Sequence, residues 1–259
     1  MIAKHIEWNG AKEQQAVDLL LDHGKMIVRP TKVGYIIMTS DIGGLERKFS
    51  AKQRALNKPG VVLCGSMEQL RKLAELNDEI DALYKMAWDE DILLGCILPW
   101  KEVGKRYIPV DGSEAMMMDR RSTSCFVIKF GVPSELIAYE LWNKHEKIAF
   151  ASSANPSGKG NSGRVGGIGE RIHNEADLVI AADDYVQSIQ PGTSERTRYE
   201  QGVMISMVDS SGKLIPEQNR QRSVQPGPVV IRKGLDMNRI MSMLSDVFLS
   251  WVYRHGTYY

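Results

Sequence analysis

The stretch Ile148-Ala149-Phe150-Ala151-Ser152-Ser153-Ala154-Asn155-Pro156-Ser157-Gly158 reads as a buried strand that opens into a loop of small polar residues. Ile148–Ala151 is an apolar run of strand length, and the Pro and Gly behind it stop its extension. In open α/β sheets, ligands bind beyond the carboxyl ends of such strands. Short hydroxyls and an amide at that place offer compact, neutral donors and acceptors for a phosphate or a ribose. A plain turn would use the same residue types.

Outward from this point, strand and helix patterns interleave. Met26–Val28, Tyr35–Met38, Val61–Cys64, Ile92–Leu98 and Cys125–Phe130 read as strands, as do Leu178–Ile180, Val203–Val208 and Val229–Ile231. Pro30 is expected to end the first of these. Ala16, Val17, Leu20 and Leu21 recur at helical spacing, and Leu45–Arg54, Met67–Leu76, Glu79–Ala87 and Pro133–Trp142 also read as helical. Interleaving along the whole length predicts an α/β domain on one twisted sheet. Some strands follow one another without a helix between them, so the sheet should be mixed. Polar stretches at 103–122, 184–202 and 209–227 read as long loops. Near the end, Ile240, Met243, Leu244, Val247 and Trp251 form an amphipathic stripe, a helix over 236–253 docked on the core or at a dimer interface.

Composition narrows the function class. The 259 residues carry 33 Lys plus Arg against 32 Asp plus Glu, a net charge of +1, which excludes a strongly basic nucleic-acid coat. The three cysteines, Cys64, Cys96 and Cys125, form no C-x-x-C pair. Cys64 and Cys125 sit in apolar runs and read as small buried hydrophobes, and a reducing cytoplasm fits. No apolar run is long enough to span a bilayer, so no membrane partner is expected. The histidines lack metal-ligand spacing, and no metal site is expected.

Familiar catalytic motifs are missing. There is no Walker loop and no Gly-x-Ser-x-Gly elbow. Gly158-Lys159-Gly160-Asn161-Ser162-Gly163 matches G-x-G-x-x-G, but it starts several residues past its strand and reads as a loop. Asp89-Glu90-Asp91 and Asp183-Asp184 read as solvated turns, with metal coordination through bridging phosphates as the alternative. Lys52-Gln53-Arg54, with Lys58 following, is a basic cluster. Lys52 and Arg54 converge only if the helix ends there, because residues two apart lie on opposite helix sides. An Arg fork beside a Lys point charge suits a carboxylate or polyphosphate; a solvated basic face is the plain reading.

The order and spacing of these clusters resemble the YrdC/YciO family, which includes threonylcarbamoyl-AMP synthases. The resemblance runs from about Lys25 to Gly234. It rests on Pro30-Thr31, Lys52-Gln53-Arg54 with Lys58-Pro59, Ser153-Ala154-Asn155 with Ser157-Gly158, Ser206-Met207-Val208-Asp209, and Arg232-Lys233-Gly234. It implies a twisted mixed α/β sheet with a large concave, positively charged cavity, here over residues 1–235, with 236–259 as an appended helix. It implies a nucleotidyltransferase that joins L-threonine, bicarbonate and ATP, with Mg²⁺, into threonylcarbamoyl-AMP for N6-threonylcarbamoyladenosine in tRNA. Catalytic roles fall on Lys52, Arg54, Ser153 and Asn155, nucleotide contacts on Lys58, Ser206 and Arg232, and amino-acid contacts on Thr31 and Tyr35. Transfer RNA or a tRNA-modifying complex would be an indirect partner. The competing readings are a YciO-like paralogue using another amine or carbamoyl phosphate, and a non-catalytic RNA-binding protein.

The departures from the pattern cluster around the amino-acid and adenosine sites as the family uses them. Lys32 stands at an acidic position and Val33 at a second Thr. Trp88-Asp89-Glu90-Asp91-Ile92-Leu93 replaces W-P-G-P-[LV]-T, and Lys129 replaces an Arg. Three added acids would suit a more cationic amine or a bound metal.

Overall fold

The computed structural model describes residues 4–53, 59–156, 160, 162–193 and 200–254. Among them, eleven strands form one mixed sheet in the order β1-β8-β2-β3-β7-β4-β6-β5-β9-β10-β11. Their ranges are β1 (Lys4–Glu7), β2 (Ile27–Thr31), β3 (Gly34–Thr39), β4 (Val61–Leu63), β5 (Leu94–Pro99) and β6 (Thr123–Ile128). The rest are β7 (Ala149–Ser153), β8 (Leu178–Ala181), β9 (Val203–Ser206), β10 (Val229–Arg232) and β11 (Val252–Tyr253). Hairpin-linked β2 and β3 pair antiparallel, while β4 and β6, separated by helices, pair parallel. No helix among the described residues is long and apolar enough to cross a membrane.

Helix starts follow side-chain caps. The Asp41 carboxylate accepts from Gly44 N–H at the start of α2 (Ile42–Lys52). Ser66 and Asn77 do the same for α3 (Met67–Leu73) and α4 (Asp78–Asp89). Each such cap contributes about 1 kcal/mol. The helix α2 ends at Lys52 because Gln53 adopts a left-handed conformation with φ 49°.

Several expectations need correction. Pro30 lies inside β2 rather than ending it, opposite Tyr35. Its missing N–H costs nothing there, because β8 pairs with β2 at Ile27 and Val28 and not at Pro30. The long polar stretches hold short helices: α5 (Glu102–Lys105), α6 (Glu114–Met117) and α9 (Asp183–Ile189). Helices of four to seven residues carry too little periodicity to be read from sequence. The last helix, α10 (Met237–Val247), stops short of Trp251, and the chain continues into β11 beside β10. Ile240, Met243 and Leu244 of its stripe are buried in the core cluster shared with α4. Burial contributes ~1.5–3 kcal/mol per side chain of this size.

Strand alternation divides the two sheet faces. Leu94, Cys96 and Leu98 of β5, Phe126 and Ile128 of β6, and Val203 and Ile205 of β9 point into the core under α3, α4 and α10. The alternate residues, including Gly95, Cys125, Val127 and Met204, lie on the opposite face. One part of that face is covered by α1 (Gln14–Leu21) and α7 (Val132–His145), through Ala16, Val17, Leu20, Ile137 and Leu141. The remainder floors a cavity.

Candidate active site

The cavity has a volume of about 260 Å³. Its floor is apolar: Ile36, Val61, Gly95, Cys125, Val127 and Met204. A Cβ on Gly95 would sit 3.0 Å from Cys125 Sγ, so this glycine deepens the hollow over β5. Cys125 is one of three buried free cysteines; Cys64 and Cys125 are buried as their apolar runs imply, and Cys96 is buried as well. Burial pushes its thiol up to about 12, which leaves it protonated and unreactive at neutral pH.

Polar residues complete the lining. The first group comes from the end of α2 and the end of β7. The Lys52 side chain is buried and its Nζ donates to the Ser153 carbonyl, with the Ser153 hydroxyl 3.2 Å away. The end of α2 at Lys52 is the condition on which Lys52 and Arg54 could converge. Arg54 and Lys58 themselves lie outside the described residues. Ser153 and Asn155 line the cavity, and Ala154 N–H donates to the Tyr35 carbonyl at 2.7 Å, tying this loop to β3. Beside them the Ser152 hydroxyl is buried with no hydrogen-bond partner among the described residues. The register partner of Ser152 is Ile37 of β3, so the Ser152 side chain lies on the sheet face opposite the cavity-lining Ile36 and Ser153.

Across the cavity stands Arg232, the charged residue among the described lining residues. Its Nε donates to the Gly202 carbonyl at 2.8 Å, which fixes the guanidinium plane. The glycine two residues on explains the R-x-G spacing. A Cβ at Gly234 would fall 1.9 Å from the Gln201 carbonyl oxygen, so only glycine lets the end of β10 approach Gln201 and Gly202.

The predicted amino-acid contacts are placed differently from one another. Thr31 lines the wall, but its hydroxyl donates to the Gly34 carbonyl at 2.8 Å and closes the β2–β3 turn. Tyr35 is among the lining residues, but its side chain packs in the core cluster with Ile37, Val179 and Val186, and its hydroxyl donates to Asp183 Oδ1 at 2.5 Å and accepts from Ala182 N–H at 2.8 Å. Burial and the Asp183 carboxylate raise the phenol far above its ordinary range. Ser206 is not part of the cavity wall; it follows Met204 by two residues on β9, and its hydroxyl lies 3.4 Å from the Val208 carbonyl.

The three added acids do not form an open acidic site. Asp89 pairs with Lys85, Glu90 with Arg239 at 2.7 Å, and Asp91 with both Lys32 and Lys129. Each acid thus has a cationic partner within the chain, and the Asp89, Glu90 and Asp91 side chains remain 56%, 48% and 65% exposed. Among the described residues, no group of three or more His, Cys, Asp or Glu could hold a metal ion. Asp183, read as a solvated turn, instead accepts from Tyr35 and from Val165 N–H at 2.8 Å. Sequence reasoning also missed the cavity floor. The signal was available as alternate positions of the central strands, but which face lacked a helix was not.

Residues 19–193 match the Sua5/YciO/YrdC family model, described as "Telomere recombination". A curated relative, the threonylcarbamoyl-AMP synthase of Pyrococcus abyssi, is 28% identical over 160 residues, which cover 61% of this chain and 43% of that protein. The chain thus aligns with less than half of that relative's length. A hypothetical protein of Streptococcus mutans has a solved structure with 60% identity and a TM-score of 0.93, covering 100% of both chains. The structure of P. abyssi Sua5 complexed with L-threonine is 20% identical with a TM-score of 0.63, covering 98% of this chain and 62% of that one, a likeness of fold.

Proposed function

The chain belongs to the Sua5/YciO/YrdC family, and from this we propose that it makes a carbamoyl-type adenylate, with L-threonine, bicarbonate and ATP as substrates. The observation that carries the reading is the contact of Lys52 with Ser153, which lines a cavity that Arg232 borders on another side; Lys52 itself stands behind Ser153 and does not line the cavity. One lining cation, Arg232, and an apolar floor suit a small molecule with one charged end. A groove for RNA would instead present basic residues along its length.

In the proposed reaction the amino group and bicarbonate condense to a carbamate and release water. A carbamate oxygen then attacks the α-phosphorus of ATP. The bond from that phosphorus to the bridging oxygen breaks, and pyrophosphate leaves with the electron pair. Lys52, Arg232 and, in the segment outside the described residues, Arg54 and Lys58 would hold phosphate oxygens. Ser153 and Asn155 would orient the α-phosphate and ribose. Positioning and cationic stabilisation suffice for such a step, and no strong base is needed. Mg²⁺ would enter on the polyphosphate, since the described carboxylates form no cage for it. The product would feed N6-threonylcarbamoylation of tRNA in the cytoplasm.

A second reading keeps the chemistry and changes the amine, as in a YciO-like paralogue. It is favoured by one observation: Lys32 and Lys129, both departures from the family pattern, each pair with Asp91, a third departure, next to residues of one cavity wall. Pyrophosphate release from ATP and bicarbonate across a panel of single amino acids, with carbamoyl phosphate as a separate well, tests both. Bicarbonate-dependent release with threonine supports the first reading, and release with another amine supports the second. Silence in every well contradicts both.

A further inference from the structure

Three segments distant in sequence meet at Asp91. Lys32 Nζ lies 2.8 Å from Asp91 Oδ2 and also donates to the Asp91 carbonyl. Lys129 Nζ lies 3.1 Å from Asp91 Oδ1 and 4.5 Å above the Trp88 ring. Lys32 N–H donates to the Phe130 carbonyl at 2.9 Å, and Gly131 has room for no Cβ beside the Lys32 nitrogen. The Lys32 side chain is only 5% exposed. A lysine buried that deeply needs its counter-charge, because an unpaired buried charge is strongly destabilising. Asp91 holds its place in the left-handed region, φ 54°, which aspartate tolerates better than most residues.

None of Lys32, Asp91 and Lys129 lines the cavity, yet their neighbours Thr31, Val33, Leu93 and Phe130 do. The ion cluster therefore stands behind the wall and ties its three pieces: the β2–β3 turn, the entry to β5 and the exit from β6. We infer that Asp91 is a positioning residue whose bridge between Lys32 and Lys129 sets the spacing of this wall, and with it the selection of the amine substrate. The part concerning selection rests on the adenylate-forming reading of the cavity; the part concerning the wall does not.

The test compares wild type with Asp91→Asn, which keeps the shape and removes the charge, and Asp91→Glu, which keeps the charge. Hydrogen exchange is followed by mass spectrometry over 29–36 and 127–133, with 237–247 in α10 as an internal control. Asp91→Asn should exchange faster in the first two segments and not in α10, and Asp91→Glu should restore protection. Wild-type protection in Asp91→Asn would overturn the inference whatever the catalytic result. In turnover, Asp91→Asn should raise KM for the amino acid about tenfold, the scale of a sub-ångström misplacement, with KM for ATP unchanged. An equal rise in both would overturn the selection part. A wild type that turns over no amino acid would sink the adenylate reading and the selection part with it, while the exchange data still decide the wall.

Discussion

The Lys52 ammonium group lies 3.2 Å from the Ser153 hydroxyl and donates to the Ser153 carbonyl, so the end of α2 and the end of β7 are joined behind the cavity-lining Ser153. The contact orients a cation that would otherwise sweep a wide cone, and it does so at the carboxyl end of a strand. A fixed cation stabilises developing phosphate charge without reorganising during the step.

Lys52→Ala should therefore lower kcat/KM for ATP on the order of 10²-fold, or ~3 kcal/mol of transition-state stabilisation. Lys52→Arg should recover little, because a guanidinium fork does not replace a point charge held by two oxygens of one residue. Steady-state kinetics with a circular-dichroism check of the fold decides this. Unchanged kcat/KM in Lys52→Ala would remove Lys52 from the site.

Tyr35 is expected to matter for stability more than for substrate contact. Its hydroxyl joins β3 to the start of α9 by donating to Asp183 and accepting from Ala182 N–H. Tyr35→Phe leaves that buried N–H and one carboxylate bond unmet, a loss of about 1–3 kcal/mol. Denaturant titration should show the loss, with KM for the amino acid close to wild type. A large KM change at unchanged stability would mean that the hydroxyl meets substrate after all.

Two glycine substitutions separate a required close approach from an incidental one. Gly234→Ala would place its Cβ 1.9 Å from the Gln201 carbonyl oxygen, whereas Gly166→Ala meets nothing within 4 Å. The first should displace the Gln201–Gly202 segment that anchors Arg232, weakening ATP binding and lowering the melting temperature. The second should leave ATP binding at the wild-type level. Calorimetric ATP titration of both variants checks the pair, and equal behaviour of the two would contradict it.

Glu135 carries a pH prediction. Its Oε1 accepts from Gly131 N–H at 2.6 Å, and burial raises its carboxyl above the ordinary range despite that bond and nearby Lys129 and Lys32. A carboxyl whose folded value is raised binds more protons folded than unfolded as pH climbs past its unfolded value. Stability is thus lost as pH rises through the folded value, and the cost remains at neutral pH. Glu135→Gln keeps an oxygen acceptor and carries no charge. Its melting temperature should exceed wild type at neutral pH, with the gap closing by about pH 4. A gap that persists at acid pH would assign the effect to packing instead.

Much of the fold was legible because it is carried by local patterns. The apolar runs at Val61–Cys64, Cys125–Phe130 and Ile148–Ala151 each became a central strand, and the interleaved helices implied one mixed sheet. The polar residues were legible as motifs, since Lys52, Ser153 and Arg232 sit at element ends that short sequence signals mark. What escaped depends on contacts between distant segments. Asp183 meets Tyr35 across 148 positions, and Asp91 meets Lys32 across 59. Each acid alone reads as a solvated turn, and only the fold supplies its partner. The four-residue helices escaped for the opposite reason: they are too short to repeat any pattern.

The central claim is that carbon from bicarbonate becomes part of an adenylate at this cavity. The most direct measurement follows ¹³C-bicarbonate by mass spectrometry in reactions with ATP, with and without L-threonine, using Lys52→Ala in parallel. The account predicts a labelled threonylcarbamoyl-AMP that needs all three substrates and is lost in Lys52→Ala. ATP consumption with no labelled adenylate for threonine or any other amine, or a labelled product undiminished in Lys52→Ala, would contradict it.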